Sequence, residues 1–244
     1  MEQGLLVISN AKAGSADERM LHEVLDVLRR GGGGVRSEPL GSPDQLDALL
    51  GAHPHRLVVA AGGDGTLHLL VAALHARGEL ASRVIGLVPL GTGNDFARTV
   101  GIPLAAIAAA RVVLQGSPRE VDLLTDDAGG VVVNAVHLGH RRSRRSCRGA
   151  AETSARDARV PYRCAAGGAA LARLADVVVS TAVGLMSRMR YTWLLRQGKH
   201  SQHPNVVLTR GRRVELTGPP IPINSDGELG DAVSHRRWTV QPRA

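Results

Sequence analysis

Short runs of consecutive apolar residues alternate along the first half of the chain with stretches whose apolar residues recur every three or four positions. Leu5–Ser9, 56–61 and 83–88 are such runs, the length of strands buried on both faces. Met20, Leu21, Val24, Leu25, Val27 and Leu28 share one helical face and predict a helix over 17–30, stopped by the glycines 31–34. Residues 44–50, 67–76, 96–100 and 104–114 read as further helices. Strand, loop, helix and strand in repetition predict parallel βαβ units. The fold class expected is α/β, an N-terminal open parallel sheet with flanking helices.

From about residue 120 the pattern changes. Residues 121–124 and 131–136 are short apolar or alternating runs, separated by Asp126-Asp127-Ala128-Gly129-Gly130, a hairpin signal. Residues 177–181, 205–209, 214–217 and 238–240 are also strand-like, whereas 140–173 has no period. Two domains are expected: 1–125, α/β, and 126–244, β-rich and interrupted by an irregular Arg-rich segment over 140–173.

Composition changes this picture in one respect. The apolar fraction of 43% excludes a disordered chain, and five aromatics are too few for base-stacking surfaces. The net charge of +8 first suggests nucleic acid or an anionic membrane. Yet eight arginines lie between 140 and 164 against only Glu152 and Asp157, so most of the excess is local. That run lacks aromatic interleaving and helical phase, and a solvated linker is the preferred reading; no nucleic acid is expected. Cys147 and Cys164 fall in the same stretch and suit a reduced cytoplasmic chain. No run of about 18 apolar residues predicts a membrane span. Residues 183–197 mix Leu185, Met186, Met189, Trp193 and Leu194 with Arg188, Arg190 and Arg196. They suit either an interfacial membrane helix or one packed on the β-rich domain.

The candidate chemistry lies in three glycine-bearing loops that each follow a strand. Gly62, Gly63 and Gly65 let the backbone bend and bring its N–H groups near an anion, and Thr66 opens a helix whose amino end favours phosphate. Asp64 among these donors would repel phosphate unless it served a magnesium ion or a hydroxyl proton. The second loop is Pro89-Leu90-Gly91-Thr92-Gly93-Asn94-Asp95-Phe96-Ala97-Arg98, and residues 10–14, beginning at Asn10, form the third. Ligands of open α/β sheets bind at the carboxyl ends of the strands, so the three loops define one cleft. The plain alternative is three glycine turns. Neither the dinucleotide fingerprint nor the P-loop pattern is present.

Together these loops resemble the diacylglycerol kinase and sphingosine kinase family. The resemblance rests on Gly62-Gly63-Asp64-Gly65-Thr66, a motif shared with NAD kinases and phosphofructokinases, on the lipid-kinase-specific segment 89–98, and on Asp226-Gly227-Glu228. It implies an ATP-binding α/β domain followed by a β-sandwich, here incomplete, and transfer of the γ-phosphate of ATP, with Mg2+, to a lipid hydroxyl. By the same resemblance Asn10, Gly62, Gly63, Asp64, Gly65, Thr66, Leu67, His68, Gly91, Thr92, Asn94 and Asp95 form the nucleotide site. Glu228 is then the proton acceptor, with Asp64 its rival or a partner that positions metal and phosphates. The implied partners are ATP and a membrane-derived, diacylglycerol-like lipid, with peripheral contact at the inner membrane face. The alternative is an inactive nucleotide-binding remnant.

After Asn134-Ala135-Val136-His137-Leu138-Gly139 the sequence departs from the family. The codons CAT CGG CGC AGT CGC CGA would encode residues 140–145; read one base later they spell the family-like Ile-Gly-Ala-Val-Ala. A shifted reading of 154–164 likewise yields Arg-Leu-Gly-Thr-Leu-Ala-Tyr-Pro-Ile-Gly. Residues 140–173 are therefore expected to be out of frame. Ala172 stands where the family has an aspartate at a structural metal, so the metal ligands remain unassigned.

Overall fold

The computed structural model describes residues 4–9, 15–138, 174–180, 185–197, 199 and 202–243. Asn10, the rest of the first loop and the segment 140–173, with its expected frame change, lie outside the described residues.

Four parallel strands, β1 (Leu5–Ser9), β2 (Val35–Pro39), β3 (Leu57–Gly62) and β4 (Ile85–Pro89), pair in the order β2-β1-β3-β4. Alternating residues of the central strands feed two cores. Leu6, Ile8, Val58, Ala60 and Leu87 pack under α2 (Pro43–Ala52) and α3 (Asp64–Ala76). Leu5, Val7, Val59, Ala61 and Val88 pack under α1 (Ser15–Arg30) and α5 (Ala106–Gln115). Burial on both faces explains why these strands read as unbroken apolar runs. α2 starts where Ser42 and Gln45 form a reciprocal capping box and Pro43 occupies the first turn. α4 (Asp95–Val100) is a short helix buried through Phe96 and Ala97.

β2 was absent from the hydrophobic pattern. It is an edge strand of sequence Val-Arg-Ser-Glu-Pro, with one apolar residue besides its terminal proline, and pairing with β1 alone defines it. α3 begins at Asp64, three residues before the apolar periodicity does.

The C-terminal part is an antiparallel five-stranded sheet in the order β6-β5-β11-β10-β7. Its strands are β5 (Leu123–Asp126), β6 (Val131–Val132), β7 (Val136–Leu138), β10 (Arg213–Ser225) and β11 (Glu228–Gln241). The long β10–β11 hairpin loses register between Thr217 and Ile221, where Pro219 and Pro220 cannot donate ladder hydrogen bonds. A two-stranded layer, β8 (Ala175–Ser180) with β9 (Val206–Gly211), places Ala175 and Val177 on the apolar face formed by Leu124, Leu216, Ile223 and Trp238. α6 (Leu185–Arg196) connects these two strands. The two cores meet the same hairpin: Leu123, Val131 and Val133 belong to the α3 core, while Leu124 and Val132 face the sandwich.

Candidate active site

At the carboxyl ends of β3 and β4 the glycines are fixed by close approach. A Cβ on Gly62 would lie 2.3 Å from the hydroxyl of Thr66, and one on Gly91 would lie 2.6 Å from the Cα of Gly63. The two loops thus cross backbone against backbone, joined by the Leu90 N–H donating to the Gly62 carbonyl at 3.0 Å. Gly65 differs. Its Cβ position has no heavy atom within 4 Å, so a ligand can approach the amino end of α3 there. The N–H groups of Thr66 and Leu67 both go to the Gly63 carbonyl, leaving those of Asp64 and Gly65 without an acceptor among the described residues.

Asp64 is held by a neighbouring helix. Its Oδ2 accepts from the Asp95 N–H at 3.0 Å, and its Oδ1 accepts from the Phe96 N–H at 3.1 Å and the Asn134 side-chain amide at 3.3 Å. Those two N–H groups open α4. Asn94, the residue before α4, is left-handed with φ 54° and spends its amide on the Gly91 carbonyl at 2.6 Å. It therefore does not cap its own helix, and Asp64 caps it from α3. The Oδ1 of Asn94 is the one acceptor among the buried side-chain polar atoms of the described residues that lack a partner.

The Asp226-Gly227 turn closes the β10–β11 hairpin, with Ser225 paired to Glu228 and φ of 51° and 95° at its two central residues. Positive φ at both positions is the two-residue hairpin turn that Asp-Gly favours. An ordinary polar turn would leave the aspartate in solvent. Here the carboxylate is fully buried. Its Oδ1 accepts from the Asn134 and Ala135 N–H groups at 2.7 and 3.0 Å, and its Oδ2 from the Val133 N–H at 2.7 Å and from His68 Nδ1 at 2.8 Å. Burial alone would push this carboxyl up, but the bonds from His68 and the three amides outweigh it and hold the group below the usual carboxylate range. An ionised carboxylate only accepts, so Nδ1 of His68 carries the proton.

The sequence-predicted residues divide accordingly. Gly62, Gly63, Asp64, Gly65, Gly91, Thr92, Asn94 and Asp95 are gathered at one sheet edge. Gly91 and Thr92 are exposed, and the Asp95 carboxylate pairs with Arg98 at 3.0 Å. Thr66 is buried, and the Leu67 side chain belongs to the hydrophobic core. His68 faces the Asp226 carboxylate, one helical turn beyond Asp64. Glu228 is exposed at the start of β11, and its side chain has no hydrogen bond or ion pair among the described residues. Sequence reasoning missed Asn134. Its side chain reaches Asp64 while its backbone N–H reaches Asp226, so one residue ties the two carboxylates together. Only its place in Asn134-Ala135-Val136-His137-Leu138-Gly139 could have signalled this.

No group of three or more His, Cys, Asp or Glu residues is placed to hold a metal ion among the described residues. Residues 4–125 match the family model described as the diacylglycerol kinase catalytic domain. Probable lipid kinase YegS-like of Xanthomonas euvesicatoria pv. vesicatoria is 39% identical over 127 residues, covering 50% of this chain and 40% of that protein. Probable lipid kinase YegS of Escherichia fergusonii is 34% identical over 123 residues, 48% of this chain and 40% of that protein. The matched region thus spans about two fifths of these relatives' length. The crystal structure of a diacylglycerol kinase from Bacillus anthracis str. Sterne superposes with a TM-score of 0.71 over 98% of this chain and 94% of that one, at 15% identity, a likeness of fold alone. Motifs, architecture and family match agree, and the chain belongs to the diacylglycerol kinase catalytic domain family of bacterial-type lipid kinases.

Proposed function

We propose that this chain is an ATP-dependent lipid kinase that transfers the γ-phosphate to the hydroxyl of a diacylglycerol-like lipid. The observation that carries the reading is the hydrogen-bond chain Asp64–Asn134–Asp226–His68. It fixes the Asp-Gly-Glu hairpin against the helix whose amino end follows the glycine loop.

The cleft suits a nucleoside triphosphate with magnesium. The N–H groups of Asp64 and Gly65, without an acceptor among the described residues, and the open space at Gly65 suit phosphate oxygens. The Oδ2 of Asp64 and the Oδ1 of Asn94 retain lone pairs for the cation or its waters. When bound, magnesium would neutralise charge on the phosphate oxygens. The protein's own part is alignment. The lipid oxygen forms the new bond to the γ-phosphorus, the bond to the ADP oxygen breaks, and Glu228 takes the hydroxyl proton. A carboxylate with no partner among the described residues is free to do so. Asp64, committed to α4 and Asn134, acts as the positioning carboxylate.

Incubation with γ-labelled ATP, magnesium and detergent-dispersed diacylglycerol tests the proposal. Label should appear in the lipid extract. Bound ATP with no labelled lipid, across diacylglycerol and sphingoid acceptors, would instead identify a nucleotide-binding protein without transfer.

A further inference from the structure

Helix α6 is apolar on two sides. One side packs: Leu194 is 7% exposed, the Tyr191 ring meets His203 edge-on at 6.1 Å, and the Ser187 hydroxyl accepts from the Asn205 amide at 3.3 Å. The other side carries Met186, Met189 and Trp193, which are 77%, 59% and 60% exposed. Spacings of three and four residues put these three on one face. Arg190, also exposed, stands at its flank. Two methionines and a tryptophan held in water have an unmet hydrophobic driving force.

The charge carried by this stretch of the chain specifies what meets the face. From 181 to 205 the chain has no acidic residue and four cations, the three arginines of α6 and Lys199, whereas Arg210 in β9 is already paired with Asp176. This one-sided balance lies outside the Arg-rich segment 140–164 and matches a negatively charged partner. An apolar face containing tryptophan, flanked by arginine and free of carboxylates, is the composition of a helix lying in a lipid headgroup layer.

We propose that α6 docks the protein on an anionic bilayer, with Met186, Met189 and Trp193 entering the headgroup–acyl boundary and Arg190 meeting lipid phosphates. The proposal deepens the lipid kinase reading, since it names the surface from which substrate would be drawn, yet it is testable without phosphate transfer. The full chain is mixed with phosphatidylcholine vesicles with and without phosphatidylglycerol, in ordinary and brominated-acyl forms. Binding should require phosphatidylglycerol and weaken with salt, and brominated chains should quench tryptophan fluorescence. That quenching belongs to Trp193, because Trp238 is 2% exposed in the core, and it should vanish in Trp193→Phe. Arg190→Gln should weaken binding about fivefold. A triple variant, Met186→Gln, Met189→Gln and Trp193→Gln, with an unchanged melting curve, should lose bilayer insertion.

Three results would overturn the proposal. These are absence of binding to anionic vesicles, binding without quenching (cations elsewhere then suffice), and a lipid-free dimer that the triple variant splits, which would give the face to a second copy. Transfer to detergent-dispersed lipid separates the two readings. Transfer without vesicle insertion defeats only the docking surface, and insertion without transfer defeats only the kinase.

Discussion

Replacing Asp226 with asparagine keeps the shape of the hairpin tip and removes its charge. The buried carboxylate accepts four hydrogen bonds, two on each oxygen. An amide accepts on one oxygen only, so two of the four donors would face an NH2 group. His68 can move its proton to the other ring nitrogen and accept, but the Val133 N–H has no such option. An unsatisfied buried donor costs about 1–3 kcal/mol, and the remaining bonds lose their charge assistance. The sum is about 3 kcal/mol, which for a chain of this size lowers the melting temperature by roughly 6–12 °C. Circular dichroism melts of wild type, Asp226→Asn, His68→Ala and the double variant measure it. The asparagine change should cost less in the His68→Ala background, since the pair shares one interaction. The acid limb supplies an independent check. The folded-state pKa of Asp226 is depressed, so its stabilisation is complete above the ordinary carboxylate pKa of about 3.9 and is lost as pH falls from there through the depressed value. Asp226→Asn should therefore flatten the loss of stability in that window. Melting within about 2 °C of wild type, with an unchanged acid limb, would show that the buried carboxylate does not hold the hairpin.

Other substitutions separate structural from chemical roles. Asp64→Ala should abolish phosphate transfer and also cost about 1–2 kcal/mol in denaturant titrations, because α4 loses its cap. Gly91→Ala meets the Gly63 backbone and should destabilise by about 1–3 kcal/mol, whereas Gly65→Ala should melt like wild type while weakening ATP binding measured by calorimetry. Sequencing the encoding DNA should find codons for 140–145 and 154–164 that spell the family-like residues one base later, and codons that do not would end the frame-change proposal.

Much of the first sheet was legible because β1, β3 and β4 are buried on both faces and read as apolar runs, while α1 advertises its stripe. β2 was hidden because an edge strand needs pairing rather than apolar side chains. Most of β10 and β11 escaped for a related reason: one-sided burial and a Gly-Pro-Pro interruption leave only Val214–Thr217 and Trp238–Val240 looking like strand. The glycine loops announced themselves through residue type, since close backbone approach admits nothing larger. The links between them did not. Asn134 and Asp226 act across 70 and 158 residues of sequence, on Asp64 and His68, and no local pattern encodes such contacts. The Asp-Gly dipeptide suits a two-residue hairpin turn, but the burial of its carboxylate follows only from the docking of that turn on α3.

The proton-accepting role of Glu228 is tested most directly by Glu228→Gln, with MgATP binding and phosphate transfer to diacylglycerol measured on the same preparation. The Glu228 side chain is exposed and has no partner among the described residues, so the variant should keep its melting temperature and its nucleotide affinity. Transfer should fall by about 10²- to 10⁴-fold, the range of a lost general base. Glu228→Gln transferring phosphate at the wild-type rate, or wild type binding MgATP without labelling lipid, would contradict the account.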